Sequence, residues 1–319
     1  MRKWFVLFAA SILAVAACGA RTGLRVDERR ADAGVELDAG PDVADVVDAP
    51  EEPDAVDPFP DVGVVDCQDA GITYVYVIST ENELLRFYPP DLSVVSIGTI
   101  DCPTTSPTAR PFSMAVDRQG VAYVVFSDGE LFRVSTLTAS CKATSFVPGQ
   151  SGFSTTFGMG FSSNKNDPGE TLYVAGSGAL DADGGATRTL ATIDPSTFDL
   201  TIVHDLDKDI GAPELTGTGD SRLFAYTPGK ILAPDSQVAE LDKATATVKS
   251  DVFLDLNQPA INSYAFAFWG GDFYIFGSEQ AGTSIVHRYT PGGTQTPPAV
   301  AQIDFTIVGA GVSTCAPSE

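Results

Sequence analysis

Short apolar segments recur along the chain at a nearly constant interval. Each has four residues with an aromatic side chain in second position, and neighbouring copies lie 49 to 51 residues apart. Such segments predict β-strands, and an interval of about 50 residues predicts a repeat architecture. The five aromatic residues are Tyr74, Tyr123, Tyr173, Phe224 and Tyr274.

Each aromatic strand is flanked by two further strand patterns. A second apolar segment follows it and ends in turn-forming residues, which predict a hairpin into a more variable outer strand. Segments of small residues lie at 113–115, 158–160, 265–267 and 309–311, and residues 215–219 form a fifth whose register the sequence leaves open. Small residues at alternate positions give a strand one slim face, which suits the crowded centre of a ring. Four strands per repeat with slim inner strands indicate a β-propeller.

The two ends of the chain complete each other in this pattern. The first repeat has no small-residue strand before it, whereas the segment 309–311 has no aromatic strand after it. The sequence therefore predicts an all-β, five-bladed β-propeller in which the last strand is the inner strand of the first blade. Closure would remove open sheet edges, which invite aggregation. The run at 112–124 is similar to the repeats of many bacterial propellers, and six blades or a β-sandwich are the less favoured alternatives.

The N-terminus has the pattern of an export signal. Arg2 and Lys3 precede an apolar run at 4–15, which is too short for a membrane span of about 20 residues. The sequence Val15-Ala16-Ala17-Cys18-Gly19 resembles the lipobox of bacterial lipoproteins. The resemblance covers only the first twenty residues. It implies a signal peptide at 1–17, acylation of Cys18 and, from the glycine that follows, sorting to the outer membrane.

Residues 18–66 are expected to form an acidic, disordered tether. Twelve Asp and Glu residues and no Lys or Arg lie between positions 31 and 66, among frequent prolines. Like charges and prolines deny this stretch a packed core, and a flexible coil of this length spans about 35–40 Å. The chain as a whole has a net charge of −23. Such a charge opposes binding to nucleic acid.

Four further cysteines make an even set in a chain expected to be exported, where disulfides are the rule. Four cysteines allow three pairings. Position favours Cys67 with Cys315, because these two flank the first and last strands, and leaves Cys102 to pair with Cys141 between the first two blades.

Candidate chemistry is sparse. The longer connections at 101–111, 147–156, 177–189, 205–213 and 227–237 share one face of the predicted ring, which makes that face the expected binding face. Two acidic runs are weak calcium candidates, although neither completes an EF-hand, and a solvated turn is the alternative for each. Their carboxylates are Asp205, Asp207 and Asp209 in one run and Asp181 and Asp183 in the other.

No catalytic motif accompanies these runs. The sequence has no Gly-x-Ser-x-Gly elbow, no His-Glu-x-x-His and no phosphate-binding glycine loop, and its two histidines are far apart. Five-bladed propellers include glycoside hydrolases, which need two facing carboxylates. Only Asp117 and Glu214 lie near the ends of the inner strands.

The sequence thus favours a propeller domain at 67–319 that acts as a non-enzymatic binding module for a protein or glycan. We expect this domain to be monomeric, to need no cofactor and to be anchored to the membrane through its lipid. Two alternatives stay open. One is a glycan-processing enzyme that uses Asp117, Glu214 or the acidic loops, and the other is an assembly component of the cell envelope.

Overall fold

The computed structural model describes Phe59, Cys67 and residues 73–180, 186–229, 235–258 and 261–319. These residues fall within one compact unit at 55–319. They form five antiparallel sheets of four strands each, which we number as blades in chain order. The expected signal peptide, the expected lipidation site Cys18 and nearly all of the expected tether lie outside the described residues. In the described part, no helix is both long and apolar enough to cross a membrane.

Each blade runs from an inner strand to an outer one. Blade 1 contains β1 (Val75–Ser79), β2 (Glu83–Tyr88) and β3 (Ser93–Thr99), with β20 (Ile307–Val312) innermost. Blade 2 contains β4 (Pro111–Val116), β5 (Val121–Phe126), β6 (Leu131–Ser135) and β7 (Cys141–Ala143). Blade 3 contains β8 (Gly158–Ser163), β9 (Glu170–Leu180), β10 (Ala186–Ile193) and β11 (Leu200–Asp205). Blade 4 contains β12 (Glu214–Gly217), β13 (Leu223–Thr227), β14 (Ser236–Leu241) and β15 (Val248–Leu254), and blade 5 contains β16 (Ser263–Trp269), β17 (Asp272–Ser278), β18 (Ser284–Tyr289) and β19 (Ala299–Ile303).

The five inner strands contact one another in a closed cycle. β20 touches β4, β4 touches β8, β8 touches β12, β12 touches β16, and β16 touches β20. β20 also pairs with β1 over Val75 to Ser79, so the C-terminal strand completes the first blade. The prediction of a five-bladed propeller closed by the last strand is confirmed.

Four of the five recurring aromatics fill the spaces between blades. Buried apolar residues form five clusters, each shared by two adjacent blades, and Tyr123, Tyr173, Phe224 and Tyr274 belong to four of them. Tyr123 of blade 2, for example, packs edge-on against Phe161 of blade 3, with ring centres 5.3 Å apart.

Tyr74 does not share this position. It precedes β1, and its ring contacts Tyr76 and Tyr88 of its own blade. In blade 1 the equivalent residue is Tyr76, which pairs with Gly311 as Tyr123 pairs with Ala115 and packs against the cluster between blades 1 and 2. The 50-residue interval therefore marks one recurring packing position in blades 2 to 5, and its assignment to Tyr74 in blade 1 was wrong by two residues.

Small residues on the inner strands permit close approach around the axis. A Cβ atom on Gly309 would lie 2.8 Å from the backbone nitrogen of Met114, and one on Gly311 would lie 2.8 Å from that of Val116. Real Cβ atoms do not approach backbone so closely, because close-packed interiors leave no room for an added methyl group. The blade 4 segment, whose register the sequence left open, reaches the same packing with Gly217 as the last residue of β12.

Two disulfides join the blades and the chain ends. Cys67 is bonded to Cys315, with Cα atoms 5.0 Å apart, and Cys102 is bonded to Cys141, with Cα atoms 5.1 Å apart. These are the pairings that position in the sequence favoured. The first ties the segment before β1 to the segment after β20, and the second ties the exit from blade 1 to the outer strand of blade 2.

Candidate ligand-binding site at the axis of the ring

A cavity of about 360 Å³ opens at one end of the ring axis. All five inner strands reach its wall at or near their first residue, through Val308, Pro111, Gly158, Glu214 and Ser263. Because the connections that enter the inner strands lie at this end, the cavity is on the face that the sequence predicted for binding.

Aromatic side chains from two blades line the cavity. Phe112 follows the first residue of β4 and is 38% exposed, although it is a large apolar side chain. Tyr264 on β16 is half-buried, and its hydroxyl donates a 2.5 Å hydrogen bond to the carbonyl oxygen of Ala212. Apolar walls with a few fixed polar groups are typical of sites for small molecules.

Glu214 lies at the axial end of the cavity, as the first residue of β12. Its side chain is almost fully buried, and Oε2 accepts a 2.7 Å hydrogen bond from the hydroxyl of Ser113 on β4. Burial raises the pKa of this carboxyl well above its ordinary value, and the Ser113 hydrogen bond opposes that shift only in part. The cavity therefore contains a buried carboxyl group that is harder to ionise than an exposed one.

Arg188 lines the cavity at the blade 3 side. It lies on β10 directly opposite Ser177 of β9, and its Nη1 donates a 2.7 Å hydrogen bond to the Ser177 hydroxyl. The sequence predicted a loop at 177–189. Instead β9 continues to Leu180 and β10 begins at Ala186, so a long hairpin carries Arg188 to the cavity.

Asp117 lies at the opposite end of the inner strands. It directly follows β4, and its Oδ1 accepts hydrogen bonds from the backbone amides of Gln119 at 3.0 Å and Val121 at 2.8 Å. Burial raises the pKa of Asp117 to about 7, and the nearby charge of Glu170 adds to the shift. The local role of Asp117 is to hold the turn between β4 and β5.

The two acids that the sequence proposed as a catalytic pair are therefore separated. Ser113, which bonds Glu214, precedes Asp117 by four residues on the same extended segment, a distance of about 13 Å. Glycosidase pairs lie about 5–9.5 Å apart and face the same bond. Asp117 and Glu214 are at opposite ends of the ring and do not face each other across the axis.

Around Asp117, the far end of the ring is held by polar contacts between blades. Arg118 of blade 2 donates through Nε to the Thr314 hydroxyl at 2.7 Å and through Nη2 to the Ser163 hydroxyl at 2.6 Å. The Thr314 hydroxyl donates in turn to Glu170 of blade 3 at 2.7 Å. These groups satisfy one another, so this end is a structural network that joins blades 2 and 3 to Thr314, two residues beyond β20.

The weak calcium candidates are not brought together. Oδ1 of Asp205 accepts from the Thr189 hydroxyl at 2.6 Å, that of Asp207 from the backbone amide of Val248 at 2.8 Å, and that of Asp209 from the backbone amide of Gly211 at 2.9 Å. Asp181 and Asp183 lie outside the described residues. Over the described ranges, no three His, Cys, Asp or Glu side chains are grouped to hold a metal ion.

Sequence reasoning pointed to the face on which the cavity opens and to Glu214, but it gave no indication of Arg188 or Tyr264. Each occurs once, at a position that the repeat does not mark, so periodicity gave no signal for it. Arg188 could have been found only by extending the second and third strands of blade 3 beyond their equivalents in other blades.

Comparisons with known proteins leave the site to be interpreted from its own geometry. No protein-family model matches the sequence, and no curated protein matches it. A solved structure of a protein of unknown function from Bacteroides caccae aligns with 76% of this chain and 99% of its own, at 10% sequence identity and a TM-score of 0.38. A likeness at this level carries no argument about function.

Proposed function

We propose that the chain is an exported, lipid-anchored β-propeller that binds a small ligand in the axial cavity and does not catalyse a reaction on it. The observation that carries the proposal is the cavity whose wall includes residues at the start of all five inner strands. Its volume of about 360 Å³ lies within the range of small-molecule sites. A site built on strands is also held more rigidly than one built on loops.

The separation of the two buried carboxyls supports binding without catalysis. Glu214 reaches the cavity, whereas Asp117 holds a turn at the far end of the ring. The charged side chains that line the cavity are Glu214 and Arg188. Orienting a ligand is the task that these two groups fit, since the described part of the cavity lining supplies no second acid beside Glu214 for proton transfer to water.

Export and anchoring are supported by the N-terminal sequence and by the disulfides. The apolar run and the lipobox-like segment that ends at Cys18 place the acyl group before a tether of 48 residues. Disulfides are typical of proteins that fold outside the cytoplasm.

Replacing Cys18 by Ser should move the chain from the membrane fraction to the soluble fraction of an expressing bacterium. Retention of the Cys18→Ser chain in membranes after a high-salt wash would count against the anchor.

A cavity-filling variant tests the binding function. Thr156 lines the cavity and is half-buried, and its own carbonyl accepts the local hydrogen bond from Ser154, so Thr156→Trp blocks the space while leaving that bond in place. The matched control is Thr105→Trp, because Thr105 is exposed in the connection that enters blade 2 and does not line the cavity.

The measurement is thermal shift followed by calorimetry on the purified full-length chain, with monosaccharides, amino acids, nucleosides and organic acids as four probe classes. We expect at least one class to bind the wild type and Thr105→Trp, and Thr156→Trp to lose that binding. The proposal fails if no class binds, or if Thr156→Trp binds as the wild type does.

A further inference from the structure

The cavity has two chemically different ends. Glu214 belongs to an inner strand at the axis, whereas Arg188 belongs to β10, which is two strands further out in blade 3. Two strand spacings place the β10 backbone about 10 Å from the inner strand. Tyr264, on the inner strand of blade 5, lines the same cavity as these two groups.

The guanidinium of Arg188 is available for a ligand. It makes one hydrogen bond to a described side chain, the hydroxyl of Ser177, and it forms no ion pair with an Asp or Glu of the described ranges. A guanidinium has five N–H donors in a fixed fork that matches a carboxylate. The chain has a net charge of −23, so the positive charge of Arg188 in the cavity is opposite in sign to that of the molecule as a whole.

The second ionisable group of the cavity lining sits apart from Arg188 on an inner strand. Glu214 is 4% exposed, its Oε2 accepts a hydrogen bond from the Ser113 hydroxyl, and burial raises the pKa of its carboxyl. The cavity therefore presents the guanidinium of Arg188 at its outer end and a buried, hydrogen-bonded carboxyl at its axial end. Phe112 and Tyr264 also line the cavity and suit an apolar or ring-shaped body.

We infer that the axial cavity takes a small organic carboxylate, with its anionic group against Arg188 and its body against Phe112 and Tyr264. This inference rests on the proposed binding function and adds the chemical class of the ligand. The cavity volume limits the ligand to a small molecule, and the carboxyl of Glu214 contacts its uncharged end.

The test compares acids with their neutral amides. Lactate, benzoate and 4-hydroxybenzoate are titrated into the purified full-length chain beside lactamide, benzamide and 4-hydroxybenzamide, with affinity measured by calorimetry at constant ionic strength. At least one acid should bind at least tenfold more tightly than its amide. Arg188→Gln should remove this preference, because a hydrogen bond to a charged group contributes roughly a tenfold to hundredfold difference. Arg188→Lys should restore part of it.

The matched control is Arg110→Gln. Arg110 is exposed at the entry to blade 2, and its Nη1 donates to the Ala109 carbonyl outside the cavity lining, so this variant should keep the full preference. The inference is overturned if no acid binds better than its amide, or if Arg188→Gln keeps the preference. If amides or other neutral probes bind as tightly as the acids do and Thr156→Trp excludes them, the inference fails while the binding function stands.

Discussion

At the scale of single residues, Asp117 makes stability depend on pH in an unusual direction. Its folded-state pKa of about 7 is above the ordinary value of 3.8, because burial disfavours the charged form. Between these two values the folded chain holds a proton that the unfolded chain has released. The free energy of unfolding therefore falls as pH rises through this window, with a slope of up to about 1.4 kcal/mol per pH unit from this group, and levels off above it.

Replacing Asp117 by Asn should flatten this dependence. The amide oxygen of Asn can still accept from the amides of Gln119 and Val121, and the side chain stays neutral at every pH. Urea unfolding at pH 4.5 and pH 7.5 should show a smaller loss of stability for Asp117→Asn than for the wild type. The control is Asp91→Asn, an exposed carboxyl whose pKa is lowered by hydrogen bonds from Ser93, which should not reduce the loss. An unchanged loss in Asp117→Asn would contradict the assignment.

Residue-level prediction from the sequence worked where a physical constraint repeats and failed where it does not. Gly309 and Gly311 were recognisable because every inner strand needs a slim face at the axis. The role of Asp117 as a turn holder was not recognisable, since an acid at the end of an inner strand has the same sequence signature whether it binds backbone amides or a substrate. Only the coordinates separate these two uses.

At the scale of elements, the two disulfides should differ in how much they stabilise the fold. Cys67 and Cys315 are 248 residues apart, whereas Cys102 and Cys141 are 39 apart. In the chain-entropy account the longer loop contributes about 5.5 kcal/mol and the shorter about 4 kcal/mol, because closing a longer loop restricts the unfolded chain more.

Paired replacements test this order. Cys67→Ser with Cys315→Ser should lower the free energy of urea unfolding more than Cys102→Ser with Cys141→Ser, and each double variant serves as the control for the other. Both replacements leave no unpaired thiol at their site. If the Cys102 and Cys141 variant is the less stable one, local packing between blades 1 and 2 outweighs loop entropy.

The sequence predicted the number and order of the blades but not the length of every strand in them. The blades followed from the 50-residue interval because four of the five marked aromatics fill equivalent interfaces. The sequence did not separate Tyr74 from Tyr76, which takes that position in blade 1. The length of the β9–β10 hairpin did not follow, since the glycines and aspartates at 181–185 indicate a loop and the sequence does not say how far the strands extend towards it. That hairpin carries Arg188, so the same uncertainty hid one end of the candidate site.

At the scale of the whole molecule, ring closure depends on one strand that comes from the far end of the chain. β20 pairs with β1 and also contacts β4 and β16. Without it, blade 1 would expose an unpaired strand edge at the axis, and its neighbours would lose contacts on both sides. Deleting residues 307–315 should therefore abolish a single cooperative thermal transition, measured by circular dichroism, and an unchanged melt would contradict the closure.

A circular permutant tests whether β20 must come from the opposite end of the chain or must only be present in blade 1. The Cα atoms of Cys67 and Cys315 are 5.0 Å apart, so a short Gly-Ser linker can join the C-terminus to residue 67, and the chain can be reopened between Lys208 and Asp209. Every blade is then built from contiguous chain. The ring is closed between blades 3 and 4 without a shared strand, by the cluster that contains Tyr173 and Leu215 and by hydrogen bonds such as the one from the Ser163 amide to the Thr218 carbonyl oxygen. We expect this permutant to unfold in one cooperative transition at a lower midpoint than the wild type, because no strand crosses the new junction.

Two other outcomes would contradict this expectation. A permutant that melts at the wild-type midpoint would show that contacts between blades are sufficient for closure. A permutant that loses cooperativity would show that the ring needs a blade built from strands of both chain ends.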